Sequence, residues 1–179
     1  MVEAMTADPF EAIVASHHAE IHRYLARATS RASDADDLSQ ETFVRAYRAY
    51  RGLPPDANLR AWLFAIATNL VRNHVRGERR RRLAMSAAAA EATERGPAWP
   101  EGEALAGEAR ARIDGVVARL PLKQRLAFTM RKVHELDYET IGRSLACSPE
   151  SARAHVFQAL KKIRHALDER ELVRALPGA

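Results

Sequence analysis

The chain has 179 residues, a net charge of +5, 47% hydrophobic residues and one cysteine. That length holds one ordinary domain or two small ones, and the lone Cys147 excludes an internal disulfide and a cysteine zinc cluster. No apolar run approaches the ~18 residues needed to cross a bilayer, and the start, MVEAMTADPFEAIV, has no basic stretch leading into an apolar one. A cytoplasmic protein with no direct membrane insertion is therefore expected. The basic balance suits a polyanionic partner, although where the charge sits matters more than its sum.

From Asp8 to about Thr29, Phe10, Ile13, Val14, Ile21, Tyr24, Leu25 and Ala28 recur at helical spacing, and Asp8-Pro9 is a start signal. His17 falls on the apolar side of this first helix and is expected in the core. His18 and His22 stand at i,i+4, but the acid is Glu20 rather than the residue after His18, so the pattern is not that of a zinc protease and no metal is expected.

The stretch Ser33 to Arg51 forms the second helix. Phe43, Ala46, Tyr47 and Tyr50 gather on its core side, while Asp37, Glu41, Arg45 and Arg48 line a display side. Ser33 and Asp36 have the form of a capping box, which assigns Asp34 and Asp36 to the helix start. Asp37 and Glu41 are a like-charged i,i+4 pair costing an isolated helix about 0.2–0.5 kcal/mol.

Gly52-Leu53-Pro54-Pro55-Asp56-Ala57 cannot continue a helix and reads as a loop. Asn58 caps a third helix with the stripe Leu59, Trp62, Leu63, Ile66, Leu70 and His74. Its far end carries six arginines against one glutamate between Arg72 and Arg82, an excess of +5. Such a density suits phosphate binding; a solvated helix end, where cations suit the dipole, is the plainer alternative. Residues 83–107 are rich in Ala, Gly and Pro and read as a flexible linker, in which Trp99 needs a docking partner.

A second helical module runs over 108–172. Ile113, Val116, Val117 and Leu120 form a stripe ending at Pro121, and a helix from Leu122 to Val133 buries Leu126, Ala127, Met130 and Val133. Asp137 opens a short helix made by Tyr138, Ile141, Gly142 and Leu145. Ser148-Pro149 launches another through Ala152, Val156, Ala159, Ile163 and Leu167. This is a helix-turn-helix pattern, although its turn, Ala146-Cys147-Ser148, lacks the glycine often found there. Between Arg119 and His165 ten Lys or Arg face four Asp or Glu, an excess of +6. A major groove admits such a helix, with flanking cations on the backbone; a plain helical hairpin with a charged outer face is the alternative.

Together, DADDLSQETFVRAYRAY, RAWLFAIATNLVRNHVR and LPLKQRLAFTMRKVHELDYETIGRSLACSPESARAHVFQALKKIR resemble bacterial RNA polymerase sigma factors of the sigma-70 family, in its extracytoplasmic-function group. The resemblance implies an all-α fold of two modules, region 2 over 8–82 and region 4 over 108–172, joined by the linker. It implies an alternative sigma factor that is not an enzyme and uses no cofactor. Its partners would be core RNA polymerase, through the β′ coiled coil and the β subunit, promoter DNA and an anti-sigma factor. By the same resemblance Asp37, Gln40 and Glu41 bind polymerase. Leu53, Asp56, Asn58 and Asn69 engage the minus-10 element, with Arg72, Arg76, Arg79 and Arg80 on its backbone. Ser151, Arg153, His155, Phe157 and Lys161 read the minus-35 element. His155 and Gln158 stand where many relatives have Arg, and the loop Leu53 to Ala57 has two prolines in place of Gly and Ser, so neither promoter sequence follows. Two other functions fit parts of the chain. A regulator with the same helix-turn-helix would bind duplex DNA without polymerase, and a magnesium nuclease would use Asp34, Asp36, Asp37 and Glu41, although Asp36 and Asp37 diverge around the helix.

Overall fold

The structure is a computed structural model that describes residues 9–29, 31–86 and 112–175, and their side chains except at 86 and 169–175. Most of the linker, with Trp99, lies outside the described residues. The elements are α1 (Pro9–Ala28), α2 (Ala32–Ala49), a 3-10 turn (Tyr50–Gly52), α3 (Leu59–Ser86), α4 (112–118), α5 (Leu122–Lys132), α6 (Tyr138–Leu145) and α7 (Pro149–Ala175). All regular structure among the described residues is helical, as the apolar periodicity predicts.

The first three helices enclose a core of Phe10, Ile21, Tyr24, Leu25, Leu38, Phe43, Leu63 and Phe64. Tyr24 is wholly buried, and its hydroxyl finds Thr68 Oγ1 at 2.8 Å, so a phenol is accommodated without an orphaned polar group. Helix α2 begins earlier than the capping-box reading places it. Arg31 occupies the cap position with no side-chain cap, leaving Ser33 in the first turn. Asp34 lies in the first turn as expected, and both acids also tie α2 to its neighbours: Asp34 lies 3.4 Å from His74 of α3, and Asp36 lies 2.8 Å from His22 of α1. The local sequence could not distinguish a capping acid from one facing a histidine fourteen or forty residues away.

Asn58 caps α3 as expected, its Oδ1 accepting from Ala61 N at 2.9 Å. The stripe predicted for α3 is too narrow. Phe64, Ala67 and Val71 are fully buried, while Trp62 and Ile66 are only half-buried. The reason is tertiary: α3 packs against α1 and α2 on one side and against α6 of the second module on another. His17, expected in the core, is half-buried.

In the second module α5 and α6 pack on α7, with Val116, Val117 and Leu120 against Ala159 and Ile163. Val133 is 42% exposed rather than buried, because α5 ends at Lys132 and the chain turns away there. Asp137 caps α6 through Thr140 N at 2.7 Å. The turn after α6 places Ala146 in the left-handed region (φ 51°), where glycine is the usual choice. The glycine is needed one turn earlier instead. A Cβ on Gly142 would stand 2.8 Å from the Cys147 carbonyl oxygen, so the helix-turn-helix closes against a bare backbone.

Candidate functional site

Three surfaces carry the residues singled out by sequence. The first is the outer face of α2. Asp37 and Gln40 are exposed, while Glu41 is half-buried and accepts from Arg45 Nε at 2.6 Å. The like-charged pair seen in the sequence is thus relieved by the arginine one turn on. Beside this face runs an apolar groove of about 980 Å³ between α1 and α2, lined by Phe10, Val14, Phe43, Val44, Tyr47 and, at its edge, Gln40. Tyr47 was expected in the core and is 50% exposed. Its ring instead packs at 5.3 Å on Phe10 and 5.8 Å on Tyr50, forming an aromatic wall. The groove escaped the sequence reading because an apolar residue at a core-facing spacing looks the same whether or not a helix covers it.

The second surface is the loop before α3 and the far half of that helix. Pro54, Pro55, Asp56, Asn58 and Asn69 are exposed, and Leu53 is half-buried. Arg76, Arg79 and Arg80 are exposed and Arg72 is half-buried. Glu78, at 3.6 and 3.3 Å, pairs with Arg81 and Arg82, leaving Arg79 and Arg80 outside that cluster. The helix continues unbroken to Ser86, so the arginines are displayed on a rigid rod.

The third surface is α7. Ala152, Val156, Ala159 and Ile163 are buried, which turns Ser151, Arg153, Phe157, Lys161 and Arg164 outward. Phe157 is 64% exposed, an aromatic side chain with no core role. His155 is half-buried, and burial, with Lys123 nearby, lowers its pKa and favours the neutral ring. Arg153 does not stand alone. Its guanidinium lies 5.0 Å from the centroid of the Tyr138 ring, and that of Arg131 lies at the same distance from the same ring. Arg131 is further held by the Leu136 carbonyl oxygen at 3.1 Å. Tyr138 therefore gathers two cations at the mouth of the helix-turn-helix. The sequence assigns Tyr138 to the short helix after Asp137 without a functional role and leaves Arg131 out; nothing in the spacing links the end of α5 to the start of α7.

A helix-turn-helix whose second helix displays cations places the molecule among the helical DNA-binding proteins. Residues 13–81 match the family described as Sigma-70 region 2, and residues 110–163 match Sigma-70, region 4. The chain is 32% identical over 88% of its length to the RNA polymerase sigma-H factor of Pseudomonas aeruginosa, covering 86% of that protein. It is also 32% identical over 73% of its length to the ECF RNA polymerase sigma-E factor of Salmonella typhimurium, covering 72% of it. Among solved structures it is similar in fold to the sigma factor RpoE in complex with the anti-sigma factor NepR from Bartonella quintana. The TM-score is 0.72 at 20% identity, over 89% of this chain and 96% of that one. It is likewise similar to CnrH in complex with the cytosolic domain of CnrY, with a TM-score of 0.64 at 23% identity, over 89% and 88% of the two chains. The chain belongs to the sigma-70 family, in its extracytoplasmic-function group. It is an alternative sigma factor, a protein that directs RNA polymerase to promoters.

Proposed function

We propose that the three surfaces divide the work of initiation. The outer face of α2, with Asp37, Gln40 and Glu41, docks on the β′ coiled coil of core polymerase, and the groove bounded by Val44 and Tyr47 receives apolar side chains of the same partner. The loop Leu53 to Asn58 and Asn69 engage the minus-10 element, where a base drawn from the stack is recovered by hydrogen bonds that an amide both donates and accepts. Arg72, Arg76, Arg79 and Arg80 hold its backbone. Ser151, Arg153, His155, Phe157 and Lys161 face the minus-35 element, with Tyr138 fixing the approach of Arg153. Region 2 spans 8–82 with α3 extending to Ser86, and region 4 spans 108–172.

The protein contributes no catalytic group and works in the cytoplasm beside the polymerase whose chemistry it uses. Its restraint by an anti-sigma factor is proposed from the complexes in which RpoE and CnrH are found.

The observation that supports this reading most is the segregation of charge. Exposed acid stands beside an apolar groove on α2, whereas α7 offers cations and an exposed Phe157. Run-off transcription with purified core polymerase on genomic DNA, with start sites mapped, tests it. Start sites sharing two elements at fixed spacing are expected; starts indistinguishable from those of core enzyme alone would reject it.

A further inference from the structure

Helix α3 is packed along its near half and displayed along its far half. Near its start Arg60 is tied to Glu20 of α1 and to the backbone carbonyl of His134, and buried residues recur as far as Val71. None of residues 72–85 is buried, and a Cβ on Gly77 would meet nothing within 4 Å. The helix nevertheless continues to Ser86. On this outlying rod Arg76, Arg79 and Arg80 are joined by Leu83, 62% exposed, and Met85, 71% exposed. Phosphate contacts account for the arginines. They give no reason for two large apolar side chains at the tip.

The other large apolar side chains exposed in the first module are Val44 and Tyr47, on the rim of the α1–α2 groove. The two surfaces match in charge as well as in apolar character. Asp37, Gln40, Glu41 and Val44 follow one another at steps of three, one and three residues, and Arg76, Arg79, Arg80 and Leu83 repeat those steps. Set parallel, two such helices bring Arg76 to Asp37, Arg79 to Gln40, Arg80 to Glu41 and Leu83 to Val44, with Met85 reaching the aromatic wall at Tyr47. Glu41 accepts from Arg45 Nε through one carboxylate oxygen, which leaves the other for Arg80. Opposite charges on adjacent turns fix the register, and the apolar end supplies the desolvated anchor.

One chain cannot make this contact with itself. Helices α2 and α3 run antiparallel, joined at one end through residues 50–58 and held at the other by Asp34 beside His74, 3.4 Å. From that contact Leu83 lies nine residues out along α3 and Val44 ten residues away along α2 in the opposite sense, which sets them about 28 Å apart at the ~1.5 Å rise of a helix.

We propose that the far end of α3 in one copy of this chain docks on the outer face of α2 and the adjoining groove of a second copy. The contact is head-to-tail, so each assembly keeps one rod and one groove open and grows with concentration. Three helical turns bury less than a standard interface, which puts the dissociation constant on the order of 10–100 μM. The same faces serve polymerase and promoter in the division of work proposed above, so association would hold the protein in reserve. That consequence rests on the earlier reading, whereas the association does not.

Sedimentation velocity on the full chain, with neither polymerase nor DNA, tests it. At about 200 μM and low salt the weight-average mass should reach at least about 1.5 times that of the monomer, and it should fall toward the monomer value at ~0.5 M salt. Two variants each spoil one half of the contact: Arg80→Glu with Leu83→Asp on the rod, and Glu41→Arg with Val44→Asp on the face. Each alone should stay monomeric. Mixed, they should form a one-to-one dimer and nothing larger, because the rod of the face variant still meets the face of the rod variant. Both variants keep a net positive charge, so mixing brings no general attraction. Should either pair of substitutions lower the helix content, Arg76→Glu and Asp37→Arg read the same quantities. A monomeric wild type, a variant that still associates alone, or a mixture that stays monomeric overturns the docking. A dimer that survives an excess of core polymerase would reject only its role as a reserve.

Discussion

Helices α2 and α7 each present an exposed outer face, and the two are built in opposite ways. On α2 the outer side mixes acid, amide and uncovered apolar surface, with Asp37 and Gln40 beside Val44 and Tyr47. On α7 the outer side carries Arg153, Lys161 and Arg164, with the buried side confined to small and branched apolar residues. Protein–protein docking draws its strength from desolvated apolar anchors and its selectivity from charge at their edge. A phosphate backbone asks for cations first and gives base edges only to side chains fixed in place. On the proposed division of work, one chain separates a protein-binding helix from a nucleic-acid-binding helix, so that polyanion and polymerase would not compete for the same side chains.

The contrast breaks most sharply if α2 is made like α7. Asp37→Arg with Glu41→Arg should reduce co-purification with core polymerase by at least about 100-fold, since like charge set against a complementary surface costs several kcal/mol, while helix content stays unchanged. Wild-type recovery of polymerase would remove α2 as the docking face. Next in size, Arg153→Ala should cost about 1–3 kcal/mol at one minus-35 base and relax preference there, whereas Lys161→Ala should weaken binding evenly across sequences and lower the salt slope by ~1. Identical base profiles for the two variants would show that α7 reads only backbone.

Tyr138→Leu sharpens the same comparison. It keeps apolar packing and removes the ring face under Arg131 and Arg153, so minus-35 selectivity should fall by about three- to fivefold, on the scale of an exposed cation–π contact. Tyr138→Phe should restore it, and holoenzyme selection at minus-10 should not move in either variant.

The smallest effect is on pH dependence. Burial is the main cause that holds His134 below its ordinary 6.5, opposed by Glu20 and reinforced by Arg27 and Arg60. The folded protein therefore binds fewer protons than the unfolded chain below about 6.5. The stability that depends on neutral His134 is present above that value and is lost as pH falls below it. Glu20, lowered chiefly by its hydrogen bond from Arg60, contributes above its ordinary 4.5 and loses that contribution only below it. Between pH 7.5 and 5.5 the melting temperature of the wild type should fall more than that of His134→Asn; equal slopes would mean that His134 carries no linkage. His155, lowered by burial on α7, is unchanged in that comparison.

How much of this was legible can be judged residue by residue. Asn58, Asp137 and the Ser148-Pro149 start were readable because caps are local: a side-chain oxygen meets a backbone amide three residues on. The inward stripe of α7 and the display of Asp37 and Gln40 were readable because helical pitch alone separates faces. The Ser33–Asp36 capping box was misread, as were Tyr47 and Val133 as core, and Phe64 and Val71 were passed over. Each of those depends on which other helix lies alongside, and periodicity carries no information about neighbours distant in the chain.

By itself, then, the amino-acid sequence determined an all-helical, two-module protein with a helix-turn-helix and segregated charge, because pitch, capping and charge density act within a few residues. Only the tertiary structure decided that α1 and α2 leave an apolar groove open, that one tyrosine gathers arginines from two helices, and that Glu20, Arg60 and His134 meet across the modules. Those features join residues from seven to more than one hundred positions apart, and only the folded chain brings them into contact.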